Sequence, residues 1–198
     1  NLLPAQVTDA ILDAAAQGAY TIRHGGLSAT YWSRFILIGS MNPAEGSLRP
    51  QIMDRFGLRV YVQPLEDPQS RLAAYQRTQQ YRNNPAQYAA IFNEEMEAAR
   101  LEIIAARQLL PTVRLEPKAA ELGGEIIKGL GIQSLRAEIA LFEAARAHAA
   151  AAGRESAGTA DILVVAPLAL RLRRASDELP DPKTEEEEIK ALLANTAG

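Results

Sequence analysis

Apolar residues at Val7, Ile11, Leu12 and Ala15 recur at helical spacing behind Pro4, so the pattern predicts a helix over residues 4–17 that Gly18 stops. Two β-prone stretches then flank His24-Gly25-Gly26, and the Tyr20 to Tyr31 segment reads as a β-hairpin. The run Phe35-Ile36-Leu37-Ile38 is apolar throughout, as in a strand covered on both faces of a parallel sheet, and Gly39 and Ser40 end it. A loop over 41–50, a short helix within 51–56 and an alternating strand over 58–62 complete an α/β region.

Beyond Asp67-Pro68, an N-cap followed by proline at the first helical position, the pattern turns helical. Asn84-Pro85 opens a second start. Tyr88, Ile91, Phe92, Met96, Ala99, Ile103 and Ala106 carry one apolar stripe as far as Pro111, which predicts a single long helix whose aromatic residues and Met96 face a core. Three further helices, over 117–127, 134–152 and 160–174, are separated by glycine-containing breaks and form a small bundle. Pro180 and Pro182 bracket an acidic stretch at 185–188 that reads as a solvated linker with at most a short helix at Ile189, Leu192 and Leu193. The implied organisation is an α/β part over 1–82, a connecting helix over 83–111, a helical bundle over 112–175 and an acidic tail over 176–198.

Composition narrows the class without naming it. The 198 residues are 47% hydrophobic and 23% charged, an ordinary globular balance with room for a core. A net charge of -3 gives no basic field for nucleic acid or an anionic membrane. The absence of cysteine excludes disulfides, thiolate metal sites and a cysteine nucleophile, and fits a soluble, cytoplasmic setting. The two histidines, His24 and His148, lie far apart, so no metal-binding histidine cluster is expected. The chain opens on Asn1-Leu2-Leu3 without a methionine, as a processed or truncated product does.

The most informative stretch is Gly39-Ser40-Met41-Asn42-Pro43-Ala44-Glu45-Gly46-Ser47-Leu48-Arg49-Pro50-Gln51-Ile52-Met53-Asp54-Arg55-Phe56-Gly57-Leu58. It closely resembles the ATPase subunits of magnesium chelatases, a branch of the AAA+ proteins. Asn1-Leu2-Leu3, the hairpin and Ser134-Leu135-Arg136 fall in that family's order, and agreement runs to about Arg174. The resemblance implies the later part of an AAA+ α/β core with a hairpin insertion, then a long helix and a helical lid.

In such a protein Asn42 would stand past the carboxyl end of the 35–38 strand, where open α/β sheets place ligands. Its amide has the donors and acceptor to hold a water and sense a γ-phosphate, though Asn-Pro alone also fits an Asx-turn. The resemblance makes Arg55 an arginine finger facing the next subunit, with Asp54 positioned to hold it and Arg49 as a second basic residue on the same loop. An isolated Asp-Arg sequence would otherwise be a surface ion pair. Arg136 becomes the lid arginine that reaches the subunit's own ATP, against the alternative of a helix-face pairing with Glu138 or Glu143; Arg146 is its nearest substitute. Arg171, Arg173 and Arg174 read as cations at a helix carboxyl end.

The sequence contains neither a Gly-x-x-x-x-Gly-Lys-Ser/Thr loop nor an apolar strand ending in Asp-Glu for magnesium, and in the family both precede the residues matching Asn1. The resemblance therefore implies ATP and Mg2+ as ligands held mainly by residues outside this chain, which alone would not hydrolyse ATP. It further implies a homo-oligomeric ring, a hexamer, working with a companion AAA+ subunit and a large catalytic subunit that inserts a metal into a tetrapyrrole. Two other functions fit the same residues. One is a non-hydrolysing scaffold module of the companion subunit, whose acidic, proline-containing linker the 180–188 stretch resembles. The other is a MoxR-like chaperone that matures metalloenzymes.

Overall fold

The computed structural model describes residues 2–46 and 49–173, together with residue 184 and residues 187–189, 191 and 192. The first helix, α1 (Ala5–Gln17), begins behind Pro4 and ends at Gly18, whose φ of 68° is left-handed and allows the chain to turn sharply. The turn leads into an antiparallel hairpin of β1 (Ala19–His24) and β2 (Leu27–Trp32). Gly25 and Gly26 both have positive φ, as a two-residue turn matched to strand twist requires. Tyr20 and Tyr31 pair across the strands with ring centroids 5.4 Å apart. Ser33 fastens the hairpin to α1, its N–H donating to the Gly18 carbonyl and its hydroxyl to the Ala14 carbonyl, each at 2.8 Å.

Neither the 35–38 run nor the 58–62 run is paired into a sheet among the described residues. A strand is a property of a pair, and among the described residues no second strand lies beside either segment. Ile38 is 89% exposed and Val62 94% exposed. After a 3-10 turn at Pro43–Glu45 comes the single-turn helix α2 (Pro50–Met53), whose Ile52 is buried; α2 packs against α1.

Helix α3 (Pro68–Asn83) opens as the sequence predicts, with the Asp67 carboxylate accepting from the Gln69 and Ser70 N–H groups. The stripe expected to form one long helix is two, α4 (Pro85–Ala90) and α5 (Asn93–Leu109). At the break the Ile91 and Phe92 N–H groups reach back three residues rather than four, and Glu94 and Glu95 favour a new helix amino end there. Tyr88, Phe92 and Met96 do not form a core. Tyr88 lies edge-to-face between Tyr81 and Phe92, while Phe92 and Met96 are exposed, and none of α3, α4 or α5 has a buried residue.

The core lies in the last three helices, α6 (Pro117–Gly129), α7 (Leu135–Ala151) and α8 (Thr159–Leu170). Two short strands that periodicity did not reveal, β3 (Arg114–Leu115) before α6 and β4 (Ser156–Ala157) before α8, pair in parallel at the edge of the bundle. Ala137, Leu141, Ala145 and Ala149 form a fully buried row along α7, and the three alanines bring its backbone close to its neighbours. Ile126, Ile162, Ala166 and Leu170 complete the centre.

The acidic tail stretch lies largely outside the described residues, but residues 187–189, 191 and 192 are helical. Glu187 and Glu188 are exposed, whereas Ile189 is 1% exposed within the bundle core and Leu192 packs against that core, so the short helix docks by its apolar face. Two apolar side chains three residues apart make one helical face, which suffices to dock it.

One buried carboxylate fixes the α7–α8 corner. Asp161, 1% exposed, accepts from Arg154 Nη1 at 2.8 Å, pairs with His148 Nδ1 at 2.6 Å and caps α8 through the Gly158 N–H at 2.9 Å. The Arg154 hydrogen bond holds the Asp161 carboxyl far below the usual carboxylate range, outweighing the upward push of burial. A group whose folded pKa is depressed contributes stability that is present above its unfolded pKa and fades as pH falls through the folded value. Bundle stability should therefore fall progressively on acidification below about pH 5, the top of the range where a model carboxyl titrates. Asp161→Ala should cost about 2–3 kcal/mol at neutral pH and flatten that acid limb, both measurable by urea unfolding across pH.

Candidate functional site

Asp54, Arg55 and Arg136 meet at the turn after α2. Helix α1 carries Asp9 and Asp13 one turn apart, and each carboxylate takes one arginine of the following loop. Arg49 Nη2 donates to Asp9 Oδ1 at 2.9 Å, and Arg55 Nη1 donates to Asp13 Oδ1. The Asp13 hydrogen bond raises the Arg55 pKa above its already high ordinary value, so the guanidinium is a permanent cation.

Asp54 does not hold Arg55, as the sequence suggested. It faces the opposite way, toward the helical bundle. Its Oδ1 accepts from the Ser134 hydroxyl at 2.8 Å and from Arg173 Nη1 at 2.7 Å, and its Oδ2 accepts from Arg136 Nη1 at 3.2 Å. Burial pushes this carboxyl up, but the Ser134 and Arg136 hydrogen bonds and the Arg173 charge together bring it below the ordinary value. Ser134 stands at the cap of α7 without capping it, because its hydroxyl is given to Asp54. Arg136 pairs with neither Glu138 nor Glu143 here. Arg146 takes Glu143 at 2.8 Å and donates to the Val113 and Leu110 carbonyls at 2.9 and 3.1 Å, which commits it to the exit from α5.

Two arginines extend this junction. Arg173, its side chain 1% exposed, donates to the Ala169, Asp54, Phe56 and Gly57 carbonyls besides the Asp54 carboxylate. Arg59, also buried, donates from Nη1 to the Arg171 and Leu172 carbonyls at 2.8 and 2.7 Å, from Nη2 to the Met53 carbonyl, and from its backbone N–H to the Leu168 carbonyl at 2.9 Å. It thereby fastens a turn in which Leu172 has a φ of 57°, a left-handed conformation costing about 1–2 kcal/mol. The Arg171 guanidinium lies 5.0 Å from the Tyr61 ring centroid. The basic end of α8 is thus a clasp folded onto residues 53–61 rather than a cluster of solvated cations; Arg174 lies outside the described residues.

Asn42 reaches this region through its neighbours. A Cβ placed on Gly39 would stand 3.2 Å from the Phe56 ring, so glycine lets the segment before Asn42 lie against the Asp54 turn. Asn42 Oδ1 accepts the Ala44 N–H at 3.1 Å, the Asx-turn geometry that Asn-Pro allows. The structure therefore joins Arg136 directly to the turn bearing Arg55 and brings in the Asn42 segment through Gly39 and Phe56. Asp13 and Arg59 were missed, and Arg173 was read only as a cation at a helix end, not as the partner of Asp54. Their partners lie up to 119 positions away in sequence, and no local pattern signals them.

A hairpin-bearing segment, a helical bundle clasped onto it and basic residues of both parts meeting at one turn describe the later portion of an AAA+ ATPase module. Residues 124–192 match the family described as AAA lid domain. The fold also resembles a crystal structure of a candidate ATPase from Cytophaga hutchinsonii, with a TM-score of 0.62 at 21% identity over 96% of this chain and 62% of that one. Among curated relatives, a magnesium-chelatase subunit ChlI homolog of Methanocaldococcus jannaschii is 38% identical over 98% of this chain and 53% of its own length. The magnesium-chelatase 38 kDa subunit of Acidiphilium rubrum is 38% identical over 91% of this chain and 52% of its own, and the chloroplastic ChlI subunit of Glycine max 35% identical over 90% and 42%. The chain belongs to the magnesium-chelatase ATPase subunit family and spans about half the length of the curated relatives it matches.

Proposed function

We propose that this chain is the nucleotide-sensing and subunit-contact part of an AAA+ motor subunit, one that hydrolyses ATP in a homo-oligomeric ring and drives a partner to insert a metal ion into a tetrapyrrole. ATP and Mg2+ would be gripped mainly by residues outside this chain. Its own contribution would be Asn42 as sensor of the γ-phosphate and attacking water, Arg136 as the lid contact to ATP of the same subunit, and Arg55 as the finger toward the ATP of the next. The ring would be a hexamer acting with a companion AAA+ subunit and a large catalytic subunit in the cytoplasm.

The observation that carries this reading is the Asp54-Arg55 turn. Two neighbouring residues face opposite ways, one to the lid arginine and one to α1, so a single turn connects the lid to the candidate contact with the next subunit. The donors suit the ligand: guanidinium groups on two separate elements, and an amide, match phosphate oxygens and an in-line water. Arg136 is exposed and its ion pair is longer than the other two bonds to the Asp54 carboxylate, so phosphates can replace that carboxylate without unseating Ser134 or Arg173.

The test uses the full-length subunit with its companion and catalytic partners, following ATP- and Mg2+-dependent appearance of metallated tetrapyrrole by fluorescence. Product should form only with the complete set. Arg136→Ala should weaken binding of a fluorescent ATP analogue about tenfold, or about 1.4 kcal/mol. Hydrolysis without metal insertion would favour a maturation chaperone, and nucleotide binding without hydrolysis the scaffold module.

A further inference from the structure

We propose that Asp13 is a positioning residue for ATP hydrolysis, setting the direction in which Arg55 is presented to the neighbouring subunit; the proposal rests on the reading of Arg55 as the finger. The Arg55 side chain is 33% exposed and that of Asp13 52% exposed. An ion pair so open to water contributes at most about 1 kcal/mol to stability. Orientation is the larger effect. An unrestrained arginine samples many rotamers, whereas a carboxylate engaged at Nη1 restricts them and leaves the other N–H donors of the fork to face elsewhere.

The support beneath Asp13 is packed, as a positioning group requires. Leu12, its neighbour in α1, is buried, as is Ile52 of α2, and the two helices pack together. The carboxyl end of α1 is fixed by the Gly18 turn and by the Ser33 hydroxyl on the Ala14 carbonyl. The parallel pair one turn earlier, Asp9 with Arg49, shows that this edge of α1 orders both arginines of the loop. Assignment of the finger to Arg55 or Arg49 is thereby tied to a different aspartate in each case.

The experiment is steady-state ATP hydrolysis by the full-length ring-forming subunit, with thermal unfolding in parallel. Asp13→Asn keeps size and polarity and removes the charge. It should lower kcat about 10- to 100-fold, the range expected when a catalytic group is misplaced by about 1 Å, while KM for ATP stays within about threefold and the unfolding midpoint is unchanged. Asp13→Glu should recover part of the loss. Asp13→Asn combined with Arg55→Ala should be no slower than Arg55→Ala alone, because a positioning residue has nothing to position once its arginine is gone.

If Arg55→Ala is inactive and Asp13→Asn turns over normally, the role of Asp13 is overturned and the finger stands. Additive losses in the double variant, or a kcat loss that tracks a lowered unfolding midpoint, would likewise overturn it. If Arg55→Ala hydrolyses ATP normally and the loss follows Asp9 and Arg49, the underlying reading of Arg55 is the one that fails.

Discussion

Arg55→Ala in the intact, assembled protein should bind ATP within about threefold of the parent and hydrolyse it about a thousandfold more slowly, the lower end of what an arginine finger contributes. On the proposed role the separation would arise because a finger meets charge that develops during transfer of the phosphoryl group, not charge already present in bound ATP. Arg55→Lys should recover little, since an ammonium keeps the charge but loses the planar fork. Because a finger acts on the next subunit, mixing Arg55→Ala with a variant lacking its phosphate-gripping lysine should restore part of the activity. Some interfaces would then join an intact pocket to an intact arginine. Hydrolysis at the parent rate in assembled rings would move the assignment to Arg49, and failure to assemble would make the residue structural.

Asp54→Ala should be the most destabilising single change at the junction, costing about 3 kcal/mol, because it leaves the Arg173 cation buried without its counter-charge. For a chain of this size that lowers the unfolding midpoint by about 6–12 °C. Asp54→Asn should cost less, since an amide oxygen can still accept from Ser134. The Asp54 carboxyl is held below its ordinary value, so its contribution is present above pH 4 or so and declines as pH falls through the folded value. Calorimetry of Asp54→Ala across pH should show the acid-sensitive part of the junction removed. A midpoint within a degree of the parent would mean that the carbonyls of Ala169, Phe56 and Gly57 suffice to hold Arg173.

Local rules were readable wherever a residue satisfies its own neighbourhood. Gly18, Gly25-Gly26, Asp67 and Asn84 each occupy the turn or cap that their chemistry predicts, because a positive φ or an orphan N–H is settled within four positions. The three-helix lid was legible for the same reason, its breaks falling at glycines. The segments at 35–38 and 58–62 are unpaired among the described residues, since β-propensity describes a surface that fits beside another strand and says nothing about whether one is present. The candidate site was legible as residue types and order through Asn42, Asp54, Arg55 and Arg136. Its wiring was not. That Asp54 turns to Ser134, Arg136 and Arg173 while Arg55 turns to Asp13 follows from how distant segments pack, as does the change of Tyr88, Phe92 and Met96 from expected core to exposed arm.

The small parallel pair between β3 and β4 carries a consequence for how the lid opens. It joins Arg114 to Ser156 and Leu115 to Ala157, so α6 and α7 are enclosed in a loop whose ends meet before α8 begins. Closing that loop costs entropy that two strand residues repay only in part, and the packing of α7 against α6 and β4, with α8 against both helices, must supply the rest. The three helices α6, α7 and α8 should therefore open together in hydrogen exchange, because each packs against the other two. Helices α3 to α5, with no buried residue of their own, must draw whatever order they have from local caps and from the edge of that unit.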